Sequence, residues 1–127
     1  MLRRSDIISI HSPLDETTYH RFGKKEFAAM KPTAYLVNVA RGGIVDEDAL
    51  LEALQTHQIA GAGLDVVEHE PLSAENPLLQ LENFIATPHT AWYSEQASLD
   101  LKRKVAEEAV RFMKGEKLLY PLNLIGK

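Results

Sequence analysis

Four side chains in this sequence have types and positions suited to chemistry: Arg41, Asp65, Glu70 and His89. Arg41 follows the apolar run AYLVNVA and precedes two glycines, Asp65 lies two residues before the end of IAGAGLDVV, and His89 ends NFIATPH. Each therefore lies at the carboxyl end of a stretch that reads as a β-strand, with Glu70 five residues beyond Asp65. Arginine presents a planar fork of donors matched to a carboxylate. Histidine titrates near neutrality and can pass a proton, and a neighbouring carboxylate stabilises its charged form. An anion anchor, a proton donor and an orienting acid together suit reactions of a 2-oxo or 2-hydroxy acid. The same residues also have ordinary readings. Arginine is common at solvent-facing turns, Asp65 suits a turn cap, Glu70 before Pro71 suits a loop, and a lone histidine is often only hydrogen-bonded. Trp92, the one tryptophan, suits core packing as well as a pocket wall. Asn38 and the segment His11–Pro13 sit at strand ends too, where they can line a ligand or satisfy loop backbone.

The elements that must bring these groups together follow from the pattern. IISI at residues 7–10 is a β-branched run that stops at His11, Ser12 and Pro13, because proline cannot continue a central ladder. It is expected to be a buried strand. GKKEFAAM at 23–30 has Phe27 and Met30 on one helical face and is closed by Pro32. The second strand is 34–40. Asp46 is the expected N-cap of a helix striped by Leu50, Leu51 and Leu54, with Glu47 and Asp48 complementing its positive end.

The third strand, 59–67, contains Gly61 and Gly63, which weaken an isolated strand but allow close approach of a neighbour. A polar loop with Pro71 and Pro77 leads to the fourth strand at 83–89. Ser94 caps the longest helix, about 95–114, on which Ala97, Leu101, Val105, Ala109 and Phe112 recur at helical spacing and which Gly115 ends. The tail KLLYPLNLIGK has no placement from pattern. Strands alternating with helices predict an α/β fold: an incomplete Rossmann-type, doubly wound parallel sheet of about four strands with flanking helices. In such a sheet the strand carboxyl ends share one edge, so Arg41, Asp65, Glu70 and His89 can converge there.

Composition narrows the functions. The chain has 127 residues, one domain's worth, with net charge −4 and no cysteine. Disulfides and thiolate metal sites are excluded, and the densest basic cluster, Lys102 to Lys104, reads as a solvated helix face and not as a nucleic-acid surface. No apolar run approaches the roughly 20 residues of a membrane span. MLRRSDIISIHSP is too short and polar for a signal peptide, so the cytoplasm is the default location. His20, His57 and His69 read as surface residues, without the spacing of a zinc site. No G-x-G-x-x-G occurs: Gly61-Ala62-Gly63 has Val66 at the last glycine position and lies inside a strand.

Taken together, HSPLDETT, VNVARGGIVDEDAL, AGAGLDVVEHEP and TPHTAWYSEQ resemble the D-2-hydroxyacid dehydrogenase family, in the second half of its nucleotide-binding domain. The likeness runs nearly end to end and in the family's order. TPHTAWYSEQAS looks most like the branch of the C-terminal-binding proteins, the NAD-binding transcriptional corepressors, and their bacterial dehydrogenase relatives. Asp15 stands where most members carry threonine.

The resemblance implies roles by position. Arg41 matches the arginine that binds the substrate carboxylate, His89 the acid/base, and Glu70 the carboxylate paired with it. On the cofactor side, Asp65 matches the acid that holds the nicotinamide carboxamide. Ser12, Pro13, Leu14 and Thr18 match the loop beside adenosine and phosphates, and Val39 and Ala40 match backbone contacts near the nicotinamide. Trp92 matches a tryptophan that shapes the substrate pocket. NAD is the implied cofactor by family default, the residue that separates it from NADP lying upstream in the family. A 2-oxo or 2-hydroxy acid is the implied small-molecule partner and a homodimer the implied assembly. Family members carry an upstream substrate domain and a glycine-rich phosphate loop that these residues lack, so the chain alone is expected to bind NAD weakly or not at all and to turn over nothing measurable. The two readings are a dehydrogenase acting on D-2-hydroxy acids, and an NAD-sensing, corepressor-like or assembly module without turnover.

Overall fold

The computed structural model describes residues 1–121, which fall into two compact units: residues 1–91 and the residues from Trp92 onward. The first unit is built on four parallel strands, β1 (Ile7–Ile10), β2 (Tyr35–Asn38), β3 (Gly61–Leu64) and β4 (Phe84–Ala86), in spatial order 1-2-3-4. Each expected strand is present: β1 coincides with its run, and β2, β3 and β4 are shorter than theirs, with β2 ending before the Arg41 turn and β4 before Pro88. Helix α1 (Lys24–Ala28) connects β1 to β2, and α2 (Glu47–Gln55) connects β2 to β3. Between β3 and β4 a loop takes the place of a helix, with a single 3-10 turn at Pro77–Gln80 whose Leu78 is buried.

Successive parallel neighbours require crossovers of one hand, which puts both connecting helices on the same face. Phe27 of α1, Leu50 and Leu54 of α2, and Ile8, Ile10, Leu36 and Leu64 of the sheet form one buried cluster there. Burial alternates strictly along β1, and the opposite face leaves Ile7, Tyr35 and Ile85 at 68%, 52% and 70% exposure. The expectation of a fully buried β1 is thus corrected, since only one of its faces is covered within this set of residues. Asp46 is the N-cap of α2 as expected, its carboxylate accepting the Ala49 N–H at 2.9 Å. His20 departs from expectation: it is half-buried and carries a carboxylate partner.

The second unit is dominated by α3 (Glu95–Met113), capped by Ser94, whose hydroxyl accepts the Ala97 N–H at 3.0 Å. Gly115 follows it at φ +68°, the left-handed conformation that closes helices and that glycine adopts without a Cβ penalty. Residues 122–127, the end of the tail without assigned placement, lie outside the described residues. Among the described residues no helix is long and apolar enough to cross a membrane.

Two features shape the bend after β2. Asn38 is fully buried, and its side chain spans the bend, Nδ2 donating to the Arg41 carbonyl at 2.9 Å and Oδ1 accepting the Ala40 N–H at 3.0 Å. Gly42 lies so close to the chain after β3 that a Cβ would stand 1.9 Å from the Val67 carbonyl carbon and 2.0 Å from its oxygen. A methyl group there requires backbone to move, whereas a Cβ on Gly63 would meet nothing within 4 Å. Gly42→Ala is therefore expected to lower stability by about 1–3 kcal/mol in urea denaturation, and Gly63→Ala to change it by less than about 0.5 kcal/mol. Equal midpoints for the two variants would contradict the close approach.

Candidate active site

The parallel register places the ends of β2, β3 and β4 on one edge, and the site is assembled there. Asp65, immediately after β3, is 5% exposed and is the one buried ionisable group among the described residues. Burial alone would cost such a carboxylate heavily. Its oxygens are committed instead to the turn after β4: Oδ1 accepts the Thr87 hydroxyl and, at 2.9 Å, the Thr90 N–H, and Oδ2 accepts the Ala91 N–H at 2.8 Å. Burial pushes the Asp65 carboxyl up, but the Thr87 hydroxyl, the Ala91 and Thr90 amides and the nearby His89 outweigh it, and the group lies below the ordinary carboxylate value.

That network holds His89. Its N–H donates to the Asp65 carbonyl at 2.9 Å and to the Thr87 carbonyl at 3.0 Å. Its φ is +54°, a left-handed conformation that costs a non-glycine residue about 1 kcal/mol and persists where the surroundings enforce it. The side chain turns to Glu70, with Nδ1 2.8 Å from Oε2. The His89 hydrogen bond, helped by the Val67 amide and the Arg41 charge, holds the Glu70 carboxyl below its ordinary range despite partial burial. Ionised near neutral pH, Glu70 can only accept, so Nδ1 carries the proton of this bond.

A cleft of about 470 Å³ is lined by Asp65, Glu70, Pro71, Leu72, Thr87 and His89, among others. Arg41 lies at the end of the Asn38 bend, exposed, with Nη1 donating to the Ala40 carbonyl at 2.7 Å, and its charge acts on Glu70. The structure thus brings together His89, Glu70 and Asp65, with Arg41 within electrostatic reach.

The remaining expected residues have other surroundings. Thr18 Oγ1 donates to the Pro13 carbonyl and accepts the Asp15 N–H, each at 2.8 Å, so it organises the loop of Ser12, Pro13 and Leu14 from within. Leu14 packs toward Gly43, where a Cβ would lie 3.2 Å from it. Val39 is exposed and Ala40 half-buried beside Arg41. Trp92 belongs to the second unit, where its ring meets Tyr93 edge-on at 5.6 Å. Sequence reasoning missed Thr87 and Gly42. A hydroxyl two residues before His89 was the available signal for the first, whereas the contact at Gly42 exists only once β2 and β3 are paired.

Open parallel α/β sheets hold their ligands at the carboxyl ends of their strands, the edge near which His89, Glu70 and Arg41 lie. The family description "D-isomer specific 2-hydroxyacid dehydrogenase, NAD binding domain" matches residues 1–91, and the chain belongs to this family. It is 45% identical over all 127 residues to the glyoxylate reductase of Korarchaeum cryptofilum, covering 37% of that protein's length. The D-lactate dehydrogenase of Lactobacillus jensenii, solved with NAD+, superposes at TM-score 0.87 with 35% identity, over 97% of this chain and 41% of the other. A D-isomer specific 2-hydroxyacid dehydrogenase from Xanthobacter autotrophicus, solved with NADPH and MES, superposes at 0.83 with 34% identity, over 96% and 50%. The chain therefore spans about two fifths of the length of the first of these relatives.

The residues present fit a nicotinamide. Asp65 offers a buried carboxylate on the cleft wall that can accept from a carboxamide, and the end of β2 is edged by the small or exposed residues Val39 and Ala40. Asp65→Ala leaves the Thr87 hydroxyl and two amides without their acceptor and is expected to cost about 3 kcal/mol at neutral pH. Because the folded value lies below the ordinary 3.8, this stabilisation is present above that pH and fades as pH falls through the folded value. Denaturation midpoints of the two proteins should accordingly converge in strong acid. A gap unchanged down to that range would show that the charge of Asp65 does not carry the effect.

Proposed function

We propose that these residues form the acid-base and carboxylate-binding part of an NAD-dependent oxidoreductase that interconverts D-2-hydroxy acids and 2-oxo acids. The observation that carries this reading is the Glu70–His89 pair at 2.8 Å, set on a turn anchored by a buried carboxylate at the edge of the cleft. NAD, when bound, supplies or accepts the hydride. His89 holds a proton on Nε2 for the substrate oxygen during reduction and receives it in the reverse direction. Glu70 fixes the tautomer and stabilises the imidazolium that precedes proton transfer. Arg41 offers its fork to the substrate carboxylate. Asp65 accepts from the carboxamide while holding the turn of His89.

The test uses a polypeptide extended to the full length of the relatives, assayed by NADH oxidation with glyoxylate and larger 2-oxo acids. His89→Gln is expected to lower kcat by about 100-fold to 10,000-fold. Arg41→Leu is expected to raise KM far more than it lowers kcat if its main service is uniform binding of the carboxylate. Undiminished turnover in His89→Gln would remove His89 from the reaction.

A further inference from the structure

The segment between Asp65 and Glu70 belongs to no strand or helix, yet its backbone is gripped on several sides. The Glu68 N–H donates to the Glu47 carboxylate at 2.7 Å, a contact made by the first residue of α2 across to the loop after β3. The Glu68 carboxylate pairs with His20 Nε2. His20 is itself placed: its N–H donates to the Gly43 carbonyl at 2.8 Å, its ring stacks on Tyr19 at 4.0 Å, and Nδ1 stands 4.0 Å from the Asp46 carboxylate. On the other side, Gly42 abuts the Val67 carbonyl. The Val67 N–H then donates to Glu70 Oε1 at 3.4 Å, while Oε2 takes His89.

The Val67–Glu68 peptide is thus fixed at its carbonyl by Gly42, at its N–H by Glu47, and through the Glu68 side chain by His20. Glu70, two residues on, has no regular secondary structure of its own to fix its carboxylate. We infer that Glu47 and His20 are positioning residues for the Glu70–His89 pair, acting by clamping the Val67–Glu68 segment against the arginine-bearing turn. This rests on the reading of that pair given above. Glu47 acts through a backbone donor, so what matters at its position is an acceptor oxygen at the end of a side chain of this length, not the charge. His20 acts through the Glu68 side chain and shares its service with Glu47.

The test reads the imidazole of His89 in the 127-residue chain, by long-range nitrogen–proton correlation in mildly alkaline solution. A pair with Glu70 holds the Nδ1–H tautomer, whereas a free imidazole favours Nε2–H. Wild type is expected to show the Nδ1–H pattern, and Glu70→Ala to lose it. Glu47→Ala is expected to move His89 most of the way to the Glu70→Ala pattern while core amide resonances keep their positions, and Glu47→Gln, which keeps the acceptor, to restore the wild-type pattern. His20→Ala is expected to move it in the same direction and decides the matter should Glu47→Ala fail to fold. A His89 pattern that moves in Glu70→Ala but not in folded Glu47→Ala or His20→Ala overturns the clamp and leaves the pair intact. If Glu70→Ala also leaves His89 unmoved, the pair itself is overturned, and the clamp with it.

Discussion

The Asp65 carboxylate is the contact on which the rest of the site depends. It is a buried charge, and in an apolar interior such a group is tolerated only when its oxygens are satisfied. The donors that satisfy it all come from residues 87–91, the turn that carries His89. The penalty for burying the charge and the ordering of the turn are therefore one problem: the loop cannot drift without uncovering the carboxylate. The left-handed backbone of His89 is a further consequence, since a conformation disfavoured in isolation is enforced by amides on both sides of it.

The contrast with Glu70 is instructive. The Glu70 and His89 side chains are 39% and 43% exposed, and an ion pair so open to water contributes at most about 1 kcal/mol. Such a pair cannot hold its own geometry. Its 2.8 Å separation must come from the backbones beneath it, the turn after β4 fixed by Asp65 and the loop after β3 pressed on Gly42 and tied to Glu47. In the function proposed above, partial exposure in turn suits a proton donor, which must reach a substrate oxygen that a buried ring could not. Rigidity is thus located in hydrogen-bonded backbone, and reactivity in the side chains it carries.

How much of this the sequence disclosed depends on whether the cause was local. Asp46 and Ser94 declared themselves as N-caps because a cap needs only its own helix. The four strands were legible from short apolar runs bounded by glycine and proline, and their parallel pairing from their alternation with helices. His89, Glu70 and Arg41 were legible as a group because strand ends share an edge in any parallel sheet. His20 was not, because its partner lies 48 residues away on a different loop. Thr87 and Gly42 were unreadable for the same reason: the first matters through a carboxylate 22 residues earlier, the second through a peptide of the neighbouring strand's loop. Burial of β1 was overestimated because a β-branched run looks alike whether one face or both are covered.

Arg41 shows how the same constraints would serve the carboxylate binding proposed for it. Asn38 is buried and hydrogen-bonded at both its side-chain nitrogen and oxygen across the bend it spans, so the chain leaves β2 at a fixed point and Arg41 begins the 3-10 turn of Gly42–Ile44. The tightness of Gly42 against Val67 then ties the position of the arginine to that of Glu70 three residues further along the opposing loop. Its charge already lowers the Glu70 carboxyl, while its guanidinium rests on the Ala40 carbonyl. An incoming carboxylate would exchange that neutral acceptor for a charged one, which guanidinium prefers. Such an exchange draws on Arg41 without loosening Glu70 from His89, because Glu70 keeps the Val67 amide and the imidazole as its own partners. The proposed anion binding and proton transfer would then be coupled through one packed backbone contact and still be served by separate side chains.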